Sequence, residues 1–264
     1  MCILGAVLTD NFVVQKLTSY VWTAGNPYND KEVESVACLF KALSVGLQDL
    51  QVFYGSVASA SASAPESQCM FPFLRSYCHS PDHEVKFQYI DRLYNNKAVY
   101  LAESSDGRKL IIKFIQQYNS TAHHLLARIG FALTLHYSSL NRADIGGLGM
   151  MVMDFVDGKS AHEEYGDEKL PRAVYDQVKN AIDILHASSF VFGDLRLPNI
   201  IITNRAKPML IDFDWCGERM IGRYPLSLND SGSIAWHQEV KRNGIMSMDH
   251  NISMLDAMKP PESA

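Results

Sequence analysis

Hydrophobic positions in this chain change period along its length. Over residues 31–54, KEVESVACLFKALSVGLQDLQVFY, apolar side chains at Val36, Leu39, Phe40, Leu43, Leu47, Leu50 and Phe53 recur at spacings of three and four. That spacing predicts one long helix with a buried stripe. The tract GSVASASASAPESQ that follows has almost nothing to bury and reads as a flexible linker over 55–70. From Val85 the pattern becomes short and alternating: VKFQYIDRL, KAVYLAES and KLIIKFI are strand-like, with Ser104-Ser105-Asp106-Gly107 as a turn between the last two. TAHHLLARIGFALTLHY then reads as helical, and GMMVMDFV as an apolar strand ending at Asp157-Gly158. The sum is a small antiparallel sheet interrupted by one helix.

Pro171 suits the opening of a helix, and RAVYDQVKNAIDILHAS carries the stripe Val174, Val178, Ile182 and Leu185. A loop, VFGDLRLPN, and two short apolar strands, NIIIT and PMLIDF, joined by NRAK, come next. The remainder is rich in turns, with one modest helical candidate near 246–258, and predicts a thin cap. The fold class expected is α+β, in four segments: a helical extension over 1–54, the linker over 55–70, a sheet with a helix over 71–157, and a mainly helical part over 158–264.

Composition narrows the partners. The 264 residues are 47% hydrophobic, enough for a real core. A formal charge of -5 without any Lys/Arg run argues against nucleic acid. Five cysteines, Cys2, Cys38, Cys69, Cys78 and Cys216, are widely spaced and form no zinc pattern, which suits a reducing compartment. The apolar stretch Cys2 to Leu8 is too short to span a bilayer and lacks a basic flank. The expectation is an intracellular protein, cytoplasmic or nuclear, without a membrane partner. The formal glycosylation tripeptides at Asn119 and Asn251 carry no weight without an export signal.

Three polar residues stand out against this background. Asp194 and Asn199 fall in the loop between a helix and an apolar strand, and Asp212 ends the next apolar strand. A hairpin would return Asp212 beside Asn199. Hard cations such as magnesium take carboxylate and amide oxygens, so Asn199 and Asp212 can hold metal, while Asp194 can orient a hydroxyl and accept its proton.

FGDLRLPNIII and MLIDFD resemble the catalytic loop and metal-binding motif of the protein-kinase-like superfamily, with intervals of five and thirteen residues between Asp194, Asn199 and Asp212. VFGDLRLPNI, LIDFDWCG, RYPLSLN and KFIQQYNSTAHHLLA are similar to stretches of the fungal-type protein kinase domain, over about residues 70–258. The GDL and IDFD forms also resemble aminoglycoside and choline phosphotransferases. The resemblance implies a two-lobed kinase-like fold, with an N-lobe over 71–157 and a shortened helical C-lobe over 158–264. It implies ATP and Mg2+ as cofactors, Asp194 as catalytic base, and Asn199 and Asp212 on metal. Lys113 in LIIKF would contact the alpha and beta phosphates, and the hinge Met153-Asp154-Phe155-Val156 would meet the adenine. Arg196 would clamp phosphate oxygens or pair with Asp194 or Asp214.

The pattern departs from ordinary kinases at several points. Phe192 and Gly193 stand where a histidine and an arginine are usual, and DRLYNNKA lacks the glycines of a phosphate-covering loop. STAHHLLARIG has no acid to pair with Lys113, leaving Glu103 on the neighbouring strand as a substitute, and His123 and His124 read as a solvated or half-packed pair. Asp214 replaces the glycine of the DFG-type motif, Trp215 and Cys216 read as packing residues, and no peptide-groove segment follows. The expected activity is phosphoryl transfer from ATP to a hydroxyl acceptor, a protein Ser/Thr or a small molecule. A pseudokinase-like module with little turnover, or a small-molecule kinase using acids from EEYGDE at 163–168, are the alternatives.

Overall fold

The computed structural model describes residues 4–8, 12–16, 30–57, 71–80, 83–94, 97–140, 142, 145, 148–229, 232, 234 and 236–261. The chain divides into two compact units, Met1–Pro72 and Phe73–Ala264. Most of the tract read as a linker, 58–70, lies outside the described residues.

In the first unit, strands β1 (Leu4–Leu8) and β2 (Phe12–Lys16) form an antiparallel hairpin, and helix α1 spans Asp30–Val57. The helix forms where its 3.6-residue period predicts it, but the stripe is not buried: Phe40, Leu47, Leu50 and Phe53 are 49–57% exposed. A helix buries a stripe only against a second layer. Its segment Val33–Phe53 is long and apolar enough to cross a membrane by length and composition.

The second unit begins with an antiparallel six-stranded sheet in the order β3-β4-β5-β6-β8-β7. Its strands are β3 (Ser76–Ser80), β4 (His83–Arg92), β5 (Val99–Ser104), β6 (Lys109–Ile115), β7 (Leu135–Ser139) and β8 (Gly149–Asp154). Helix α2 (Ser120–Arg128) interrupts it between β6 and β7. The helix expected to run through LTLHY is therefore shorter. Gly130 takes a left-handed φ of +77° just past its end, and LTLHY turns into the edge strand β7.

Strand β9 (Gly158–Ser160) leads into α3 (Ala161–Tyr165), and α4 (Arg172–Ala187) buries Val174, Val178, Ile182 and Leu185 as its period predicts. Short β10 (Phe190–Val191) precedes the hairpin β11 (Ile200–Thr203) and β12 (Pro208–Leu210), with β9 on the far side of β11. Strand β13 (Gly217–Glu218) pairs with β10, and α5 (Met248–Ala257) is the last element. One core runs through this unit and includes Leu126, Met153, Leu185, Phe192, Ile200 and Phe213. The architecture is α+β with mainly antiparallel strands.

Both asparagines with glycosylation spacing are structural. Asn119 caps α2, its Oδ1 accepting from the Ala122 N–H at 3.0 Å. Asn251 on α5 is fully buried and accepts from the Phe192 N–H at 2.9 Å and from His186 Nε2 at 3.2 Å. That bond ties the C-terminal helix to the loop carrying Asp194.

Candidate nucleotide and metal site

The hairpin β11–β12 forms because two apolar runs are joined by a short polar turn. Its register places Ile200 opposite Leu210, and the Ile211 N–H donates to the Asn199 carbonyl at 3.0 Å. Asp212 therefore emerges beside Asn199. Its backbone is left-handed, φ 70°, a conformation a non-glycine residue holds at a cost the surrounding structure must offset.

Lys113 reaches the same point from β6. Its Nζ lies 2.5 Å from an oxygen of Asp212 and 2.5 Å from an oxygen of Asp214, all three side chains being largely buried. The partner expected at Glu103 is not used: Glu103 is exposed and sits opposite Lys109 in the sheet register. One ammonium does not offset two buried carboxylates. Burial works against charge at both acids. At Asp212 the attraction of Lys113, the hydrogen bond with Asp214 and the charge of Lys97 outweigh it and hold the carboxyl well below its ordinary range. At Asp214 burial prevails over Lys113, and the neighbouring Asp212 charge adds to it, so its pKa is raised. Of the two acids, Asp214 is therefore the one that takes up a proton more readily.

The Asn199 amide nitrogen donates to the Asp194 carbonyl at 2.9 Å and to its carboxylate at 2.8 Å. Its oxygen is therefore the atom it offers to a cation. Arg196 engages Asp194 through two nitrogens, Nε to Oδ1 and Nη2 to Oδ2, the latter at 2.7 Å. Of the partners expected for this arginine, Asp194 is the one the structure records, with the Trp236 ring 5.7 Å from the guanidinium.

Phe192 and Gly193 have clear local roles. Phe192 is fully buried and meets Phe213 edge to face at 5.3 Å, so packing replaces a polar contact. Gly193 has φ +79°, and a Cβ there would overlap the Trp215 carbonyl oxygen. His123 and His124 do not act as a pair. His124 is exposed, whereas His123 is buried, stacked on Phe213 at 4.6 Å, donating from Nε2 to the Leu133 carbonyl at 2.7 Å and accepting at Nδ1 from the Tyr118 hydroxyl at 2.6 Å. Burial pushes its pKa down to about 4, so it is neutral. Cys216 is buried, and burial raises its thiol pKa, which suits a packing residue.

A cleft of about 450 Å³ opens beside these groups. Val99, Ile111, Leu133, Met153 and Ile211 contribute apolar lining, while Lys113, Asn199 and Asp212 make one end polar. Six of the residues singled out by sequence line it together: Lys113, Met153, Phe155, Val156, Asn199 and Asp212. Asp194 and Arg196 do not line it and connect to it through Asn199. At the hinge, the N–H of Asp154 donates to Thr134 and that of Phe155 to Lys109. Glu163, from the acidic stretch 163–168, also lines the cleft, but its carboxylate accepts from the backbone N–H and hydroxyl of Ser160 and caps α3.

Sequence reasoning passed over Lys97. It lies between β4 and β5, in the segment without glycines, lines the cleft, and places Nζ 2.8 Å from Asp212. A lysine late in DRLYNNKA, at the position where a phosphate-covering loop would sit, was the available signal.

Compared with family models and with curated proteins, the chain matches none of them.

Proposed function

We propose that the second unit is an ATP- and Mg2+-dependent phosphotransferase of protein-kinase-like type, transferring the gamma-phosphate to a hydroxyl acceptor. The observation that carries this reading is the meeting of Lys113, Asn199 and Asp212 at the polar end of one apolar cleft. Such a cleft, with a few convergent polar groups and acids of perturbed pKa, is the usual form of a ligand site. The resemblance of FGDLRLPNIII and MLIDFD to kinase motifs names the chemistry.

The donor set fits magnesium. Asp212 and the Asn199 oxygen are hard ligands, with Asp214 beside them. The ion would neutralise phosphate oxygens and the charge that develops on them during transfer. Val99, Ile111 and Met153 provide apolar surface for a base, and with the Phe155 N–H already bonded, Val156 is the hinge position for pairing with its edge. With a cation held by the carboxylates, Lys113 would be the group available to phosphate. Lys97 brings a positive charge where other kinases bring glycine amides.

For Asp194 to accept a hydroxyl proton, Arg196 must release it. An arriving phosphate competes for the guanidinium, and the Trp236 face gives the side chain a second resting surface. The acceptor is a protein Ser/Thr side chain or a small-molecule hydroxyl.

The two-pronged hold of Arg196 on Asp194 favours a second reading, a pseudokinase-like module that binds nucleotide with little transfer. Transfer from gamma-labelled ATP to a mixture of proteins and small hydroxyl compounds separates the two. Incorporation by the wild type that Asp194→Asn abolishes supports the enzyme. Binding without any incorporation supports the module.

A further inference from the structure

We propose that His237, Glu239 and His250 form a zinc site that fastens the segment after Trp236 to the first turn of α5. The site is separate from the one holding Asp212 and does not rest on the phosphotransferase reading. One ligand atom from each of the three residues lies within 4.8 Å of the others. Donors around a tetrahedral zinc stand about 3.3 Å apart, since zinc binds imidazole nitrogen at ~2.0–2.1 Å. A small contraction closes the set, and Glu239, being exposed, has room to make it.

His250 gives the independent reason to expect a ligand. It is only 2% exposed, and its Nε2 is buried with no hydrogen-bond partner. Its Nδ1 is engaged, 3.0 Å from the Tyr224 hydroxyl and 3.3 Å from the Ser247 N–H. Buried imidazole nitrogens are normally satisfied, and this one is not. Nδ1 accepts from the Ser247 N–H here, so for Nε2 to coordinate, the ring proton must shift to Nδ1, which then gives up that N–H and donates to the Tyr224 hydroxyl, the kind of outer contact that orients a metal-bound histidine. Tyr224 is itself buried, so this contact fixes the ring. The His237 and His250 rings lie 5.1 Å apart, which packing alone explains, but packing leaves Nε2 unanswered.

Chemistry selects the ion. Two imidazoles and one carboxylate suit zinc, with water in the fourth position, whereas magnesium and calcium prefer all-oxygen sets. The spacing, H-x-E followed eleven residues later by H, draws two ligands from an irregular segment and one from a helix. Trp236 precedes the first ligand and packs 6.2 Å from Trp215, 6.3 Å from Tyr224 and 5.7 Å from the Arg196 guanidinium. A metal at His237 would therefore hold the ring on which Arg196 rests.

The test is zinc binding to the whole chain, first stripped with a chelator, then titrated with Zn2+ against a chromophoric competitor and, in parallel, with Co2+ read by its visible absorption. One equivalent of zinc and a tetrahedral cobalt spectrum are expected, unaffected by millimolar Mg2+. His237→Ala and Glu239→Gln, which leave the buried core untouched, are expected to weaken zinc binding about 100-fold and about tenfold. His250→Ala should abolish it, but the two other variants decide the matter if that one misfolds. A wild type that takes up no zinc, or variants with unchanged affinity and normal circular dichroism, would overturn the assignment.

Discussion

Lys113 and Asp212 are 99 residues apart in sequence and 2.5 Å apart at Nζ and Oδ1. The contact joins the sheet to the hairpin and places Lys113, Asp212 and Asn199 together at the end of an apolar cleft. Because Asp214 shares the same ammonium, the lysine serves stability as well as any ligand.

Removing that ammonium takes the ion pair from buried Asp214 and leaves Asp212 with Lys97 alone. Lys113→Ala should lower unfolding free energy by about 3–5 kcal/mol at neutral pH, as breaking a buried ion pair from one side does. Urea denaturation measures it, and adding Asp214→Asn to Lys113→Ala should recover part of the loss.

The raised pKa of Asp214, pushed up to about 7 mainly by burial, would make the proposed metal binding depend on pH. A proton there competes with a cation, so magnesium-dependent nucleotide affinity should rise about tenfold between about pH 6 and pH 8. Asp214→Asn should flatten the profile, read by calorimetry at the two pH values.

The same shift has a stability consequence of fixed sign. An acid whose folded pKa is raised costs nothing below its unfolded value of about 3.9, and its cost grows as pH rises to the folded value. Asp214→Asn should therefore stabilise the fold at pH 8 and leave it nearly unchanged at pH 4. Asp212 has the opposite sign: its lowered pKa contributes stability above the unfolded value, lost as pH falls through the folded one. Thermal melts of the two Asn variants across this range distinguish them.

Gly193 holds a left-handed turn against the Trp215 backbone. Gly193→Ala should cost about 1–3 kcal/mol or more through backbone strain and displacement of Trp215. A lowered melting temperature with weakened nucleotide binding is the expected result.

The parts legible in sequence were those set by local rules. The helical period outlined α1 and α4, and the hairpin between apolar runs returned Asp212 beside Asn199, while Asp194 reaches the cleft only through Asn199. The missed features depend on tertiary context. LTLHY pairs as an edge strand because β8 offers a partner, although its composition also suits a helix. The α1 stripe lacks burial because periodicity states which face is apolar and not what covers it. Asn251 and His250 look like ordinary polar residues of a modest helix until α5 docks against Phe192 and Tyr224. The second acid on Lys113 was invisible because pairing across 101 residues leaves no local trace.

The central claim is a nucleotide and metal site built on Asp212, and calorimetry tests it most directly: ATP titrated into the purified chain with and without Mg2+, beside Asp212→Ala checked for fold by circular dichroism. Binding that requires both magnesium and Asp212 is the predicted result. Equal binding by folded Asp212→Ala, or none by the wild type at millimolar ATP with magnesium, would contradict it.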